Sequence, residues 1–205
     1  MPDLFHERHW RAAGYPCIAG IDEAGRGPLA GPVTVAAVVL PEEYEHPLLD
    51  DSKRLGEKRR ENLYAEITSD PRIFWASVQI EAEEIDRTNI LRATHLGMAQ
   101  VFEKLIPRPD LALIDGRPVK AFPGEHRALV KGDSLSLSIA AASVIAKVER
   151  DRLMLECADL YPGYGFEQHK GYGTAAHLEA LNRLGPCPIH RRSFAPVAQL
   201  KLDLR

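Results

Sequence analysis

The sequence has few cysteines, no long apolar run, no excess of positive charge and no internal repeats. Its three cysteines, Cys17, Cys157 and Cys187, are odd in number and have no paired spacing. Neither a disulfide framework nor a zinc site of the CxxC kind is expected from them. Reduced thiols in a cytoplasmic protein are the simpler reading. The longest charge-free stretch early in the chain, residues 27–41, is too short and too rich in proline and glycine to cross a bilayer. Residues 1–16 carry charge throughout and lack the apolar run of a secretory leader, so neither a leader nor a membrane partner is expected. Lysine and arginine number 26 against 29 acids, a net charge of −3. That balance argues against a simple basic nucleic-acid coat and leaves local patches open. The GxxxxGK[ST] pattern of a phosphate cradle is also missing.

What is present is an ordinary globular chain of 205 residues, 45% hydrophobic and 27% charged. That size predicts one domain, or one domain with an appendage. A short helix is expected over residues 4–13 and strands over 17–22, 33–40, 73–80, 111–115 and 128–131. Helices are expected over 57–68, over 82–106 with a break near Thr88-Asn89, over 134–160 and over 175–184. Residues 161–173 read as a loop. This order predicts an α/β core built on a mixed sheet, with the C-terminal 45 residues closing over it.

Four acids fall at the ends of these elements. Asp22 and Glu23 follow the first strand, Asp115 ends the fourth, and Asp133 precedes the long helix. Ligands of open α/β sheets bind at the carboxyl ends of strands. The nearest cations in sequence, Arg26, Arg117 and Lys131, are too few to neutralise four converging carboxylates. A divalent metal resolves the repulsion, and hard oxygen ligands select Mg²⁺ or Mn²⁺ over zinc. Taken singly, each acid has a plainer role. Asp133 suits a helix N-cap and Asp115-Gly116 a turn. In a regular strand the adjacent Asp22 and Glu23 face opposite sides.

The stretch Gly20-Ile-Asp-Glu-Ala-Gly-Arg-Gly-Pro-Leu-Ala-Gly-Pro32 resembles the bacterial ribonuclease HII family, the type 2 ribonucleases H. The likeness continues through Asp51-Ser-Lys-Arg-Leu55, Leu113-Ile-Asp-Gly116, Lys131-Gly-Asp133 and the segment from Ser138 to Asp151. It then takes in Tyr164-Gly-Phe166, His169-Lys-Gly-Tyr-Gly-Thr174 and His190-Arg-Arg-Ser-Phe194. The resemblance implies a ribonuclease-H-like fold: a five-stranded mixed sheet flanked by helices, with a catalytic domain over 1–160 and a small helical subdomain over 161–205 that closes the substrate groove. It implies a metal-dependent endonuclease that hydrolyses the RNA strand of RNA–DNA hybrids. It also implies incision 5′ of single ribonucleotides embedded in duplex DNA, leaving 3′-hydroxyl and 5′-phosphate ends.

The family's acidic tetrad falls on Asp22, Glu23, Asp115 and Asp133, which are expected to hold two Mg²⁺ or Mn²⁺ ions. Which acid binds which ion stays open. By the same resemblance Gly25-Arg26-Gly27 contacts the ribose 2′-hydroxyl, with backbone groups reading it and Arg26 favouring a phosphate. Tyr172 helps to recognise the junction of ribonucleotide and deoxyribonucleotide. The plainer readings are a glycine turn and a packing tyrosine.

Phosphate contacts are expected from local cation clusters. One is Lys53, Arg54, Lys58, Arg59 and Arg60. Another is residues 161–205, which carry a local excess of three positive charges. Lys53, Arg191 and Arg192 are the best-placed candidates. Lys147 and Arg150 stand at i and i+3 on the long helix; one of the two reaching nucleic acid and an ion pair of Lys147 with Asp151 are equally expected. The Ala140–Ser143 run reads as packing, and His169 as a hydrogen-bonding loop residue. Replacing Gly25 or Tyr172 by alanine is expected to cost substrate discrimination more than stability.

The expected partners are RNA–DNA hybrid duplexes and ribonucleotide-containing DNA, met by a cytoplasmic monomer, with recruitment by replication or transcription machinery as a further expectation. The alternatives are a non-catalytic nucleic-acid-binding module on the same fold and another superfamily nuclease with a different substrate.

Overall fold

The computed structural model describes residues 1–46, 49 and 55–203, the last three in backbone only. Lys53 and Arg54 lie outside the described residues. Five strands form one sheet in the order β3-β2-β1-β4-β5. They are β1 Ile18–Ala24, β2 Val33–Val39, β3 Phe74–Ile80, β4 Leu111–Asp115 and β5 Glu125–Leu129. β2 pairs antiparallel with both β1 and β3, while β1–β4 and β4–β5 are parallel. The expected five-stranded mixed sheet is therefore present. Eight helices are found among the described residues: α1 Phe5–Ala12, α2 Glu57–Ser69, α3 Ala82–Thr88, α4 Ile90–Lys104, α5 Leu137–Leu160, α6 Phe166–His169, α7 Ala175–Leu184 and α8 Ala195–Asp203.

The pleat sorts β1 between two cores. Ala19 and Ile21 pack with Val35, Ala37, Met98 and Val101 on the side of α4. The other face meets α5, whose Ala140, Ala141 and Val144 join Ala36, Val38 and the α2 residues Leu63 and Ile67. α5 lies unusually close to β1: a Cβ at Gly20 would fall 2.2 Å from the Ser138 carbonyl carbon. The alanine run on α5 and the glycine on β1 together permit that approach, as the packing reading of this run predicts. Residues beyond α5 fold back on its C-terminal half, where Met154, Cys157, Tyr164, Phe166, Ala180 and Cys187 share a core with Ala30.

Several boundaries near the acids differ from the sequence expectation. β1 continues to Ala24 because Glu23 and Ala24 pair with Val35 and Thr34 of β2. β5 ends at Leu129, two residues before Lys131 adopts a left-handed φ of 60° that a strand cannot accommodate. α5 starts at Leu137, capped by Ser136, whose hydroxyl accepts the Ile139 N–H at 3.2 Å. Asp133 is therefore no N-cap; it sits in a 3₁₀ turn, Gly132–Ser134, ahead of the helix. Residues 161–173 contain the short α6. The break between α3 and α4 falls where it was expected: Asn89 takes φ 132°, and its side chain accepts the Arg92 N–H at 3.0 Å.

Candidate active site

Parallel pairing of Ile21 with Ile114 brings the next residues, Asp22 and Asp115, side by side on the α5 face where the pairing of β1 with β4 stops. Asp115 Oδ1 then accepts the Gly132 N–H at 2.7 Å, which ties the end of β4 to the 3₁₀ turn carrying Asp133. As a result one carboxylate oxygen from each of Asp22, Asp115 and Asp133 lies within 4.8 Å of the others. Asp22 and Asp133 are buried. Burial pushes the Asp22 carboxyl well above its usual range, and the charges of Glu23 and Asp115 push the same way. Hydrogen bonds from the Ser143 hydroxyl and the Glu23 N–H oppose them. An all-oxygen donor set, buried and mutually repelling, fits a hard divalent cation.

Glu23 follows Asp22 in a regular strand, so the pleat sends it toward α4. It borders a cavity lined by Asp22 and Asp115 and a second one lined by His95, Asp115 and Arg117. Its Oε1 accepts from Arg26 Nη1 at 3.1 Å. The 4.8 Å group is thus made by the three aspartates, with Glu23 beside it.

Gly25, Arg26, Gly27 and Tyr172 line the rim of the same cavity, which measures about 270 Å³. Tyr172 is 43% exposed, close to Gly27 and with the Arg150 guanidinium 5.8 Å from its ring centre. Lys147 also lines the cavity and pairs with Asp151 at 2.7 Å, as the ion-pair reading holds. His169 bonds within its loop, to the Tyr164 carbonyl at 2.9 Å.

Arg191 is placed differently from its sequence reading. Its side chain is fully buried, and its guanidinium donates to the carbonyls of Gly31 (2.9 Å), Arg26 (2.9 Å) and Gly25 (2.5 Å). It holds the glycine loop from beneath and does not face the solvent from which a phosphate approaches. Arg192 is exposed, while its backbone N–H is held by the Asp86 carboxylate at 2.7 Å.

Arg150, read with Lys147 as a pair of which one reaches nucleic acid, is likewise buried. It donates to the carbonyls of Pro32 (3.0 Å), Lys170 (3.0 Å) and Ala30 (3.1 Å). Arg150 thus ties the loop after β1 to the loop that carries Tyr172, and Arg191 ties that first loop to the segment after α7. Sequence reasoning missed this role, and it missed Ser143 beside Asp22. None of the three stands in a pattern that distinguishes it from a solvated cation or a small packing residue.

The family model described as Ribonuclease HII matches residues 19–197. The chain belongs to the ribonuclease HII family. Ribonuclease HII enzymes are metal-dependent endoribonucleases that cleave RNA in RNA–DNA hybrids. The chain is 53% identical over 197 residues to Ribonuclease HII of Cereibacter sphaeroides, covering 96% of this chain and 92% of that one. It is 50% identical over 203 residues to Ribonuclease HII of Endomicrobium trichonymphae, covering 97% and 96%. In structure it resembles ribonuclease H2 from Pyrococcus horikoshii, with TM-score 0.77 at 24% identity over 92% of this chain and 99% of that one. It also resembles the ribonuclease HII solved with PCNA from Archaeoglobus fulgidus, with TM-score 0.73 at 27% identity over 87% and 95%. Among the described residues no helix is long and apolar enough to cross a membrane.

Proposed function

We propose that the chain hydrolyses the RNA strand of hybrids and also incises 5′ of single ribonucleotides embedded in duplex DNA, leaving 3′-hydroxyl and 5′-phosphate ends. The observation that carries this reading is the convergence of Asp22, Asp115 and Asp133 beside the Gly25–Gly27 loop. The three aspartates and Glu23 hold two divalent ions, Mg²⁺ or Mn²⁺. Bound there, such ions activate a water and stabilise charge on the leaving oxygen.

The chain's own residues do the rest. Ser143 and the Glu23 N–H orient the Asp22 carboxylate. Glycines at 25 and 27 let backbone groups approach a ribose closely enough to sense a 2′-hydroxyl. Arg26, exposed at the rim, balances Glu23 and meets a phosphate. Tyr172 stacks at the sugar junction, while Lys53 and Arg192 contact phosphates that set the duplex in place. Arg191 supports the loop from below. Residues 1–160 carry the catalytic groups and residues 161–205 close the groove. The chain works as a monomer in the cytoplasm, a compartment in which thiols stay reduced. The Archaeoglobus relative solved with PCNA supports recruitment by replication machinery.

The test is a duplex with one internal ribonucleotide, incubated with and without divalent ion. A nick 5′ of the ribonucleotide that requires the ion is the expected result. Cleavage of continuous hybrids alone would refute the single-ribonucleotide activity, and cleavage in chelator would refute the metal assignment.

A further inference from the structure

Three imidazoles lie together behind the Tyr172 loop. His177 opens α7, His190 ends the turn after it, and both are buried. His169 stacks on His177 with ring centres 4.4 Å apart. The hydrogen bonds around the buried pair run in only one direction. Cys187 offers its backbone N–H to His190 Nδ1 at 3.0 Å, and its thiol lies 3.1 Å from the same nitrogen. A nitrogen that accepts carries no proton, so neutral His190 is protonated at Nε2. That Nε2 stands 3.1 Å from His177 Nε2. One of the two must accept, so His177 carries its proton on Nδ1. Nδ1 in turn meets the Tyr172 carbonyl at 2.9 Å. Burial lowers the pKa of both rings, His190 to about 4, so both are neutral near pH 7.

We propose that His190 and His177 form a directional hydrogen-bond relay, anchored on the Cys187 turn, which positions Tyr172 at the rim of the cleavage site. The inference rests on the substrate role given to Tyr172 above. His177 and His190 are positioning residues: neither lines the cavity, and each acts through the loop backbone. The relay gives His177 the Nδ1–H tautomer, set by a chain of hydrogen bonds that starts at the Cys187 N–H.

Two measurements on the full chain test it. Long-range ¹H–¹⁵N spectra at neutral pH are expected to show His177 protonated at Nδ1 and His190 at Nε2. An Nε2–H tautomer or a cationic ring at His177 overturns the relay. The second is a double-mutant cycle with the single-ribonucleotide duplex. His177→Leu is expected to lower kcat/KM about tenfold, and His177→Asn, which keeps an N–H near the Nδ1 place, to recover most of that. In a Tyr172→Ala background the His177→Leu loss is expected to vanish. Losses that multiply instead overturn the positioning role, as does failure of His177→Asn to recover. Normal cleavage by Tyr172→Ala overturns the reading of Tyr172 itself, and the nitrogen spectra then tell the two failures apart. If His177→Leu does not fold, His177→Asn and the spectra decide alone.

Discussion

Gly25 makes room for Arg150: a Cβ there would lie 2.0 Å from Arg150 Nε and 2.4 Å from its Cδ. Gly25 also holds φ +94°, in the left-handed region that side chains avoid. At Gly27 a Cβ would meet only Tyr172 Cε1, at 3.8 Å, an ordinary contact. Gly25→Ala is therefore expected to destabilise the fold by about 2 kcal/mol or more. This corrects the expectation that its cost falls mainly on discrimination. Gly27→Ala is the cleaner probe: it is expected to melt like the wild type and to lose preference for the lone ribonucleotide. Urea unfolding together with cleavage of ribonucleotide-containing and continuous-hybrid substrates separates the two. Equal stability of both variants would contradict the packing argument.

Asp22→Asn is expected to abolish cleavage and leave duplex binding largely intact. In chelator it is also expected to melt a few degrees higher, on the order of 1 kcal/mol, because a buried charge crowded by Glu23 and Asp115 has been removed. Added Mn²⁺ is expected to raise the wild-type midpoint far more than the variant's, since an ion bound to the native state stabilises it by mass action. Melting curves with and without the ion check both statements. A variant less stable than the wild type in chelator would mean that the Asp22 charge is already balanced without a metal.

The fold and the three aspartates were legible because each rests on local pattern. β-branched runs marked the strands, and the acids fell at the expected ends of elements. The extent of β1 was not legible, because pairing of Glu23 and Ala24 with β2 is a long-range fact. Nor was the start of α5, where Asp133 and Ser136 are both good caps by type and the 3₁₀ turn decides between them. The buried arginines were the hardest. Arg150 and Arg191 look like phosphate ligands in sequence, and only the fold brings them to six backbone carbonyls of two loops. The histidine pair escaped for the same reason: thirteen positions separate His177 from His190.

Arg191 and its neighbour Arg192 should respond to replacement in opposite ways. Arg191→Met strands three loop carbonyls, and a loss of about 3 kcal/mol is expected, with cleavage falling as the loop loosens. Arg192→Ala is expected to leave stability within about 0.5 kcal/mol. It should weaken duplex binding and reduce the slope of log affinity against log salt by about 1, as loss of one phosphate contact does. Denaturant titration and salt-dependent binding with the catalytically silent Asp22→Asn chain measure both. A stable Arg191→Met with a reduced salt slope would restore Arg191 to the phosphate contacts.

The buried histidines make stability depend on pH with a definite sign. Burial first, and then the neighbouring His177 ring, hold His190 down to about 4, whereas an unfolded imidazole titrates near 6.5. Between those values the unfolded chain binds a proton that the folded chain refuses. The contribution is present in full above about pH 6.5 and is lost as pH falls toward 4, by up to roughly 3 kcal/mol. His177, also lowered by burial, adds in the same direction. Asp22 opposes them, because its raised carboxyl takes up a proton in the folded state first and so adds stability as pH falls. The Asp22→Asn background removes that opposing contribution. In it, unfolding free energy measured between about pH 4.5 and 7 is expected to rise with pH, and His190→Gln is expected to flatten the rise. A profile that is already flat in Asp22→Asn would mean that His190 is not held neutral, and the acceptor role of its Nδ1 would fall with it.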